Sequence, residues 1–510
     1  MTFRIGGLAS GMDIDSMVSE LMKAQRIPVD KLTQKRQTTI WQRESYLDLN
    51  AKMYDFRNNK LFEFKKEATL APKKTDITGD SSVLTARATG TASAGTLNIK
   101  VDTVAASAMK WSTGEIREVP LTQFDPSQKL VAQDASLTGN LTKDDYTIKI
   151  NGTDISFNRN DDSLNDVITR INTSNAKVTA YYSNGKIAFS SKETGLINGT
   201  GHIQFVDDAN FLQDVLKIDT LGNTTAAGPT QDSNQGVDAK VFINGIETTS
   251  ASNVLTVNGV ELSLKAKSGV TDTSIVVTAD TDKAIDSIKG FLKDYNEMLK
   301  ALQDKVVESK YRTYVPLTDE QKKDMKEADI KLWEDKAKSG LLRNDSILNK
   351  TISEMRYAAS GFVDTGNKKY NSLSSIGIET GLYSEKGKLY LSDETKLRKA
   401  LEEDPDAVTA LFTGNGEDGS GGSDIGIAER MYTTFQNALD DIKERTGVSS
   451  VLNDNSILGK QMNELGVQID QYNTRLTDIE SRYYRQFSAM EQAINKLNAQ
   501  SANLMSQLGG

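Results

Sequence analysis

Three features of the sequence predict an α+β multidomain chain, in which N- and C-terminal helices form a coiled-coil or helical stem and β-rich head domains are inserted between them. Apolar residues recur at helical spacing near both ends. From about residue 75 to 280 the pattern changes to alternation with period two. Asn-Gly pairs punctuate that middle stretch at Asn151-Gly152, Asn244-Gly245 and Asn258-Gly259, where both central residues of a type I′ hairpin turn need positive φ.

Taken in order, Gly6, Gly7 and Gly11 break the chain, and Asp13 can then cap a helix by accepting the N–H of Ser16, with Met12 and Met17 at the staple positions. Pro28 is expected to interrupt this helix. A second run follows, in which Ile40, Leu47, Tyr54 and Leu61 recur every seven residues, flanked by Tyr46, Leu49, Met53 and Phe56, a face wide enough to pack on a domain as well as on one partner helix. In the middle, Thr96-Leu97-Asn98-Ile99-Lys100-Val101 alternates as a strand should. Asp162-Ser163 caps a helix carrying Leu164, Val167, Ile168 and Ile171, and Val178, Ala180, Ile187 and Phe189 then return as strands. From Asp280 the helical period resumes, with Ile285, Ile288, Leu292, Tyr295, Met298, Leu299 and Leu302 on one face. Pro316 precedes a charged helix over Asp319 to Lys338, with Met325, Ile330 and Trp333 turned inward. A hairpin joins Gly377-Ile378-Glu379 to Leu389-Tyr390-Leu391, Asp404-Pro405 opens a short helix, and 414–422 is a loop.

The C-terminus carries the clearest periodicity. Leu458, Met462, Leu465, Ile469, Tyr472, Leu476, Ile479 and Tyr483 alternate at four and three residues, which defines a coiled-coil seam. The same stretch also suits an amphipathic helix folded back on its own domain. The step from Tyr483 to Phe487 is four where three is due, and Met490, Ile494, Leu497, Ser501, Leu504 and Leu508 then resume the alternation. The later segment is rich in Gln and Asn, leaves only a narrow apolar stripe, and needs a partner to be stable. The expected layout is 1–40 as an N-terminal helix, 41–74 with 281–456 as a helical domain bearing a small hairpin, and 457–510 as the C-terminal coiled coil. Between them lie 75–115 with 235–280 as a β head and 116–234 as a second head with one helix.

Composition removes most alternatives. With 61 Lys and Arg against 70 Asp and Glu among 510 residues, the chain is acidic overall and has no basic block, which argues against a nucleic-acid binder. It has no Cys and one His, which excludes thiolate nucleophiles, Cys-ligated metal, disulfides and any site needing two imidazoles. His202 sits in a turn entering a strand and reads as structural. The oxygen-rich Asn158, Asn160, Asp161 and Asp162 lack the Gly and terminal Glu of a calcium loop and read as a polar loop with a helix cap. No catalytic, cofactor-binding or metal-binding residues are expected, no cofactor is implied, and the chain is not expected to be an enzyme. No run is long and apolar enough to span a membrane, and the N-terminus carries Asp13 and Asp15 where a Sec-type signal would be basic and apolar. The expectation is a chain that is either cytoplasmic or exported by a route reading an uncleaved terminus. Residues 20 to 66 hold 11 Lys and Arg against 6 acids, whereas 457 to 510 hold 5 of each, which suits close packing of the C-terminal helix on copies of itself. From these residues alone, the chain is a structural or assembly protein associating through its termini.

The same residues carry a resemblance. Ile5-Gly6-Gly7-Leu8-Ala9-Ser10-Gly11-Met12-Asp13, the Tyr295-Asn296 pair, the block from Pro316-Leu317-Thr318-Asp319 through Trp333 to Asp345, and Tyr483-Tyr484-Arg485-Gln486-Phe487 to Leu508 are similar to the bacterial flagellar filament-capping family, hook-associated protein 2. The likeness runs nearly end to end, is generic over the β head, and includes a strand-helix-strand stretch over Asn165 to Ile187 that resembles an insert shared with flagellins.

The resemblance implies a structural protein at the tip of the flagellum, secreted by the flagellar type III route and arranged as a closed ring of about five copies. It implies flagellin as partner, a hook-filament junction protein during initiation, and a cytoplasmic export chaperone on the C-terminal helix. Nucleic acid and membrane are not implied. Carried onto this sequence, assembly and flagellin contacts fall on Leu8, Met12, Met17, Leu21, Phe487, Met490, Ile494, Leu497, Leu504 and Leu508, beside the seam of Leu465, Ile469, Tyr472, Leu476, Ile479 and Tyr483. A flagellin-like filament subunit or junction subunit, with surface adhesion by the head, is the alternative.

Overall fold

The computed structural model describes residues 13–118, 124–207, 209–220, 233–416, 422–447 and 454–508. The chain divides into a helical unit, Met1–Leu70 with Thr281–Gly510, and a β unit, Ala71–Asp280.

In the β unit, alternation along each strand buries one face, as period two requires. Strands β1 (Lys73–Thr78), β2 (Leu84–Ala88), β3 (Gly95–Thr103), β4 (Ser107–Trp111), β5 (Asp145–Ile150) and β6 (Thr153–Asn158) precede helix α2 (Leu164–Thr173). Strands β7 (Val178–Ser183), β8 (Lys186–Thr194), β9 (Phe205–Asp207) and β10 (Ser233–Asn234) follow. The last five are β11 (Ala239–Ile243), β12 (Ile246–Ser250), β13 (Val254–Val257), β14 (Val260–Leu264) and β15 (Thr273–Ala279). Sheets β1-β15-β3-β11-β12 and β13-β14-β2 enclose one core around Leu84, Ile99, Val241, Leu262 and Ile275. Sheets β10-β4-β8-β7 and β6-β5-β9, with α2, enclose a second around Ile148, Val167, Phe189 and Phe211. Since β4 pairs with β8, the second module starts near Ser107, not at residue 116.

The Asn-Gly pairs form the turns of β5-β6, β11-β12 and β13-β14, each with positive φ at both residues. A fourth pair, Asn184-Gly185, turns β7 into β8 in the same way. Ser163 caps α2 in a capping box with Asp166. Asp162 instead accepts two hydrogen bonds from the Arg170 guanidinium, at 2.6 and 2.8 Å, and one from the Asn158 N–H, so the oxygen-rich loop is held by its own helix.

The helical unit begins with α1 (Ile14–Asp55), which Asp13 caps through Ser16. Pro28 does not interrupt it: α1 continues past that residue and past the expected boundary at residue 40. Proline in a helix interior costs about 3 kcal/mol. Pro28 is exposed, and the buried Val18 and Val29 fix the helix on either side of the lost hydrogen bond.

Of the wide face expected here, the flanking residues and Leu61 form the core. Tyr46, Leu49, Met53 and Phe56 are buried, while Ile40 and Leu47 are only half-buried and Tyr54 is exposed. A straight α-helix drifts from a 3.5-residue repeat, and this face packs on a domain core and not on one partner helix. Phe56–Leu61 then form a π-helical turn, so the next buried residue comes five positions later, at Leu61.

Against this face lies α3 (Thr281–Val307), whose seven apolar residues expected to share one face are all buried. The expected charged helix over Asp319 to Lys338 is two helices, Asp319–Lys323 and α4 (Glu327–Lys338). Trp333 Nε1 donates to the Val315 carbonyl at 2.8 Å and its ring lies 4.6 Å from that of Tyr314, which folds the Pro316 block on itself. Helices α5 (Ser346–Ser360), α6 (Glu394–Glu403), α7 (Pro405–Thr413) and α8 (Ile427–Thr446) complete the core, with a hairpin of β16 (Ile378–Thr380) and β17 (Leu389–Leu391). Phe64 stacks on Phe291 at 4.5 Å and meets Phe412 edge-on, and Phe56 meets Phe435 at 4.8 Å. Tyr46 donates to Asp345, whose other oxygen caps α5 at Ile347 and Leu348. Burial in this contact pushes the Tyr46 phenol well above its ordinary range. Last comes α9 (Ile457–Leu508).

The β unit leaves and rejoins the helical unit through paired neighbours. β1 and β15 are antiparallel with Lys73 opposite Ala279, and Asp280 N–H donates to the Pro72 carbonyl at 2.8 Å. Loop closure over so short a gap costs little. Replacing 72–280 by a short flexible linker is therefore expected to leave a soluble protein with a helical circular-dichroism spectrum and one cooperative melt; aggregation or a lost helical signal would show the β unit to be integral.

Candidate functional site: the paired terminal helices

Helices α1 and α9 run side by side in opposite directions, with one polar tie between them and another from α1 to the residues just before α9. Near the start of α1, Tyr484 OH donates to Asp15 Oδ1 at 3.0 Å. Farther along, Arg43 Nη2 lies 3.0 Å from Asp454 Oδ2 while its Nε donates to the Thr446 carbonyl at 2.8 Å. Asp15 and Arg43 are 28 residues apart and Asp454 and Tyr484 are 30, as an antiparallel alignment demands. Hydrogen bonds from Ser456 hold the Asp454 carboxyl below its usual range, with Arg43 adding a smaller effect. Ile14, Val18 and Val29 on α1, and Leu458, Leu465 and Leu476 on α9, are buried.

The expected seam is therefore unevenly covered. Leu465 and Leu476 are buried, Ile469, Ile479 and Tyr483 half-buried, and Tyr472 exposed. On α1 the covered face is Ile14 and Val18, whereas Met17 and Leu21 are exposed; which face turns inward is decided by α9, a partner that the local pattern does not reveal. Leu8 and Met12 lie outside the described residues, as does the side chain of Leu508.

Beyond Tyr484, α9 continues for 24 residues to Leu508, about 36 Å at 1.5 Å per residue. Phe487 and Ile494 are half-buried and Met490 is just exposed, while Leu497, Leu504 and Met505 are 62%, 57% and 76% exposed. Phe487 to Leu508 contains one acid, Glu491, and one base, Lys496. This part of α9 is thus a net-neutral helix with an apolar stripe turned to solvent.

The sequence reading missed Val18, Val29 and the Arg43–Asp454 tie. The two valines carry no distinguishing mark in the sequence, and the ion pair had no signal, since its partners are distant in sequence. His202 is buried near the start of β9. Among the described residues no group of three His, Asp or Glu side chains gathers as a cation site, and no helix is long and apolar enough to cross a membrane.

A two-module β insertion between helices that pair side by side, one of them extended into an exposed stripe, defines a structural assembly protein. Sequence models of that class match this chain: the C-terminus of flagellar hook-associated protein 2 over residues 236–499, its N-terminus over 10–108, and the flagellin hook IN motif over 147–193. Flagellar hook-associated protein 2 of Halalkalibacterium halodurans is 31% identical, covering 98% of this chain and 99% of its own. The same-named protein of Escherichia coli K12 is 24% identical, covering 98% and 97%. The fold is that of the flagellar cap protein FliD D1-D2-D3 domains from Escherichia coli, with a TM-score of 0.53 and 18% identity over 83% of this chain and 99% of that one. The chain belongs to the flagellar hook-associated protein 2 family, a structural flagellar cap family and not an enzyme family.

Two measurements probe the pair. In a monomer verified by sedimentation, amides of Leu458 to Leu476 should resist hydrogen exchange far longer than those of Ile494 to Leu504; equal protection would mean that the stripe is already covered. Arg43→Ala leaves the Asp454 carboxylate without its cation, and urea unfolding should register a loss of roughly 1 to 3 kcal/mol at pH 7. Because the folded-state pKa of Asp454 is depressed, its contribution is present above the ordinary carboxylate pKa and disappears as pH falls through the folded value. Asp454→Asn should flatten that acid limb.

Proposed function

We propose that this protein caps the distal tip of the growing flagellar filament, where it retains exported flagellin and promotes its folding and polymerisation. The observation that carries this reading is the exposed, net-neutral extension of α9 beyond its pairing with α1: a long rigid helix whose apolar stripe suits insertion among other helices. Membership of the hook-associated protein 2 family supports the same assignment. In this reading several copies, about five, close into a ring. The paired ends with Met17, Leu21, Phe487, Met490, Ile494, Leu497 and Leu504 form the working contacts with flagellin, and a junction protein meets them at initiation. Secretion follows the flagellar type III route, with an export chaperone covering the apolar stripe of α9 beforehand. The five segments laid out from the sequence, amended at Pro28 and Ser107, serve as two legs, a body and two head modules.

Immunolabelling of isolated filaments separates the alternatives. Tip-only label supports the cap; label along the shaft indicates a filament subunit, and label at the hook boundary a junction subunit.

A sharper test places charge in the stripe. Burying a side chain the size of Ile or Leu stabilises a contact by roughly 1.5 to 3 kcal/mol, and aspartate at the same place adds the cost of desolvating a charge. Ile494→Asp with Leu497→Asp is expected to leave the melting curve of the purified protein unchanged, while cells shed unpolymerised flagellin and carry few or short filaments. Assay of the variant in the medium checks its secretion separately. Filaments of ordinary length grown under a tip-located variant would contradict the proposal.

A further inference from the structure

Helix α3 carries two unlike surfaces on nearly opposite flanks. One supports the β16-β17 hairpin: Tyr295 OH donates to the Gly387 carbonyl at 3.1 Å, Asn296 exchanges hydrogen bonds with Leu389 at 2.8 and 2.9 Å, and Gln303 donates to the Lys386 carbonyl at 2.9 Å. Glu385 closes the connecting turn by accepting from the Leu382 N–H at 2.8 Å and from Tyr390 OH at 2.7 Å. This braced turn holds Leu382 75% exposed and Tyr383 99% exposed, with Lys386 and Lys388 behind them. Two large apolar side chains held in water by a turn with so many fixed contacts are pre-organised for a partner, and tyrosine is among the residues that most often anchor an interface.

The other flank of α3 forms one wall of a groove of about 480 Å³, with the end of α1 as the opposite wall. Phe56, Met298 and Ala301 line it, and Asp48, Asp55, Asp294 and Glu297 stand around it with Lys52 and Lys60, four acids against two bases. Burial raises the Asp294 carboxyl above its ordinary value, and its cation, Lys60, is 3.9 Å away. At about 100° per residue, the groove residues of α3 and its hairpin supports lie roughly 150° apart around the helix axis. A projection and a recess on opposite flanks of one helix cannot meet within a chain, but they can meet between chains. Such a head-to-tail contact generates a ring when its rotation closes.

We infer that the groove between α1 and α3 receives the Leu382-Tyr383 turn of a second copy of this chain. The apolar pair fills a recess of the size that accommodates a compact apolar group, and Lys386 and Lys388 approach the acidic rim. This inference rests on the ring in the proposed function and supplies the contact that would build it.

The absence of cysteine from the chain allows a test without background. Full-length protein carrying both Tyr383→Cys and Ala301→Cys, oxidised at a concentration where sedimentation velocity shows the unsubstituted chain to self-associate, is expected to yield a ladder of covalent oligomers. A mixture of the two single variants is expected to stop at the dimer. Tyr383→Ala, a change on a fully exposed side chain, should weaken self-association by about tenfold or more while the melting curve stays unchanged. Self-association that gives neither the cross-link nor sensitivity to Tyr383→Ala would overturn this contact and leave the ring standing. An unsubstituted chain that stays monomeric at every concentration, and also with filament ends present, would overturn both.

Discussion

The antiparallel pairing of α1 with α9 is the constraint on which the helical unit depends. Helix α9 is 52 residues long with a narrow apolar stripe, and an isolated helix of that composition gains too little from its own hydrogen bonds to persist in water. Helix α1 provides the surface that makes its first half stable. Leu458, Leu465 and Leu476 are covered, and the Asp15–Tyr484 tie and the Arg43–Asp454 pair just before α9 hold the two helices in register. The exposed second half of α9 is therefore the continuation of an anchored rod, which is why a bare apolar stripe can stand in solvent at a defined place.

Helix α1 does two jobs along one axis. Its first half supports α9, and its second half supplies Tyr46, Leu49, Met53 and Phe56 to the core of the helical unit. The π-helical turn at Phe56–Leu61 adjusts the face so that Leu61 and Phe64 enter the same core, at the expense of regular i to i+4 bonding. Tyr46 extends this dependence to α5 through the carboxylate that caps that helix. A disturbance at the start of α5 is thus felt by the helix that carries the terminal pair.

Much of this was legible locally. The apolar face of α3, the three hairpin turns, and the Asp13 and Asp404 caps each rest on residues within one turn or one helix, where spacing and side-chain chemistry suffice. The turn at Asn184-Gly185 carried the same signal and was overlooked. What could not be read depended on distant partners. Pro28 signals a break until Val18 and Val29 are seen covered. Ile40 and Tyr54 fit a heptad until the true core face shows the drift of a straight helix. Strand β4 joins the second module because its partner β8 lies some eighty residues on. For the candidate site, Leu465 and Leu476 of the expected seam are buried and Met17 and Leu21, expected as contacts with other subunits, are exposed, while Val18 and Val29, which α1 buries, carry no mark that distinguishes them in the sequence. Periodicity tells that a face exists, but the partner determines which way it turns.

The hydrogen bond between Asp15 and Tyr484 joins residues 469 positions apart, so the helical unit is held together by the first and last parts of the chain. Native contacts of that separation form late, because the loop between them must close before they contribute. The β unit, whose strands pair within Ala71–Asp280, has everything it needs once residue 280 is available. A chain that emerges from its N-terminus can therefore complete its insertion while α1 still lacks the helix that will cover it. The cover over the first half of α1 has to wait until α9 has been made.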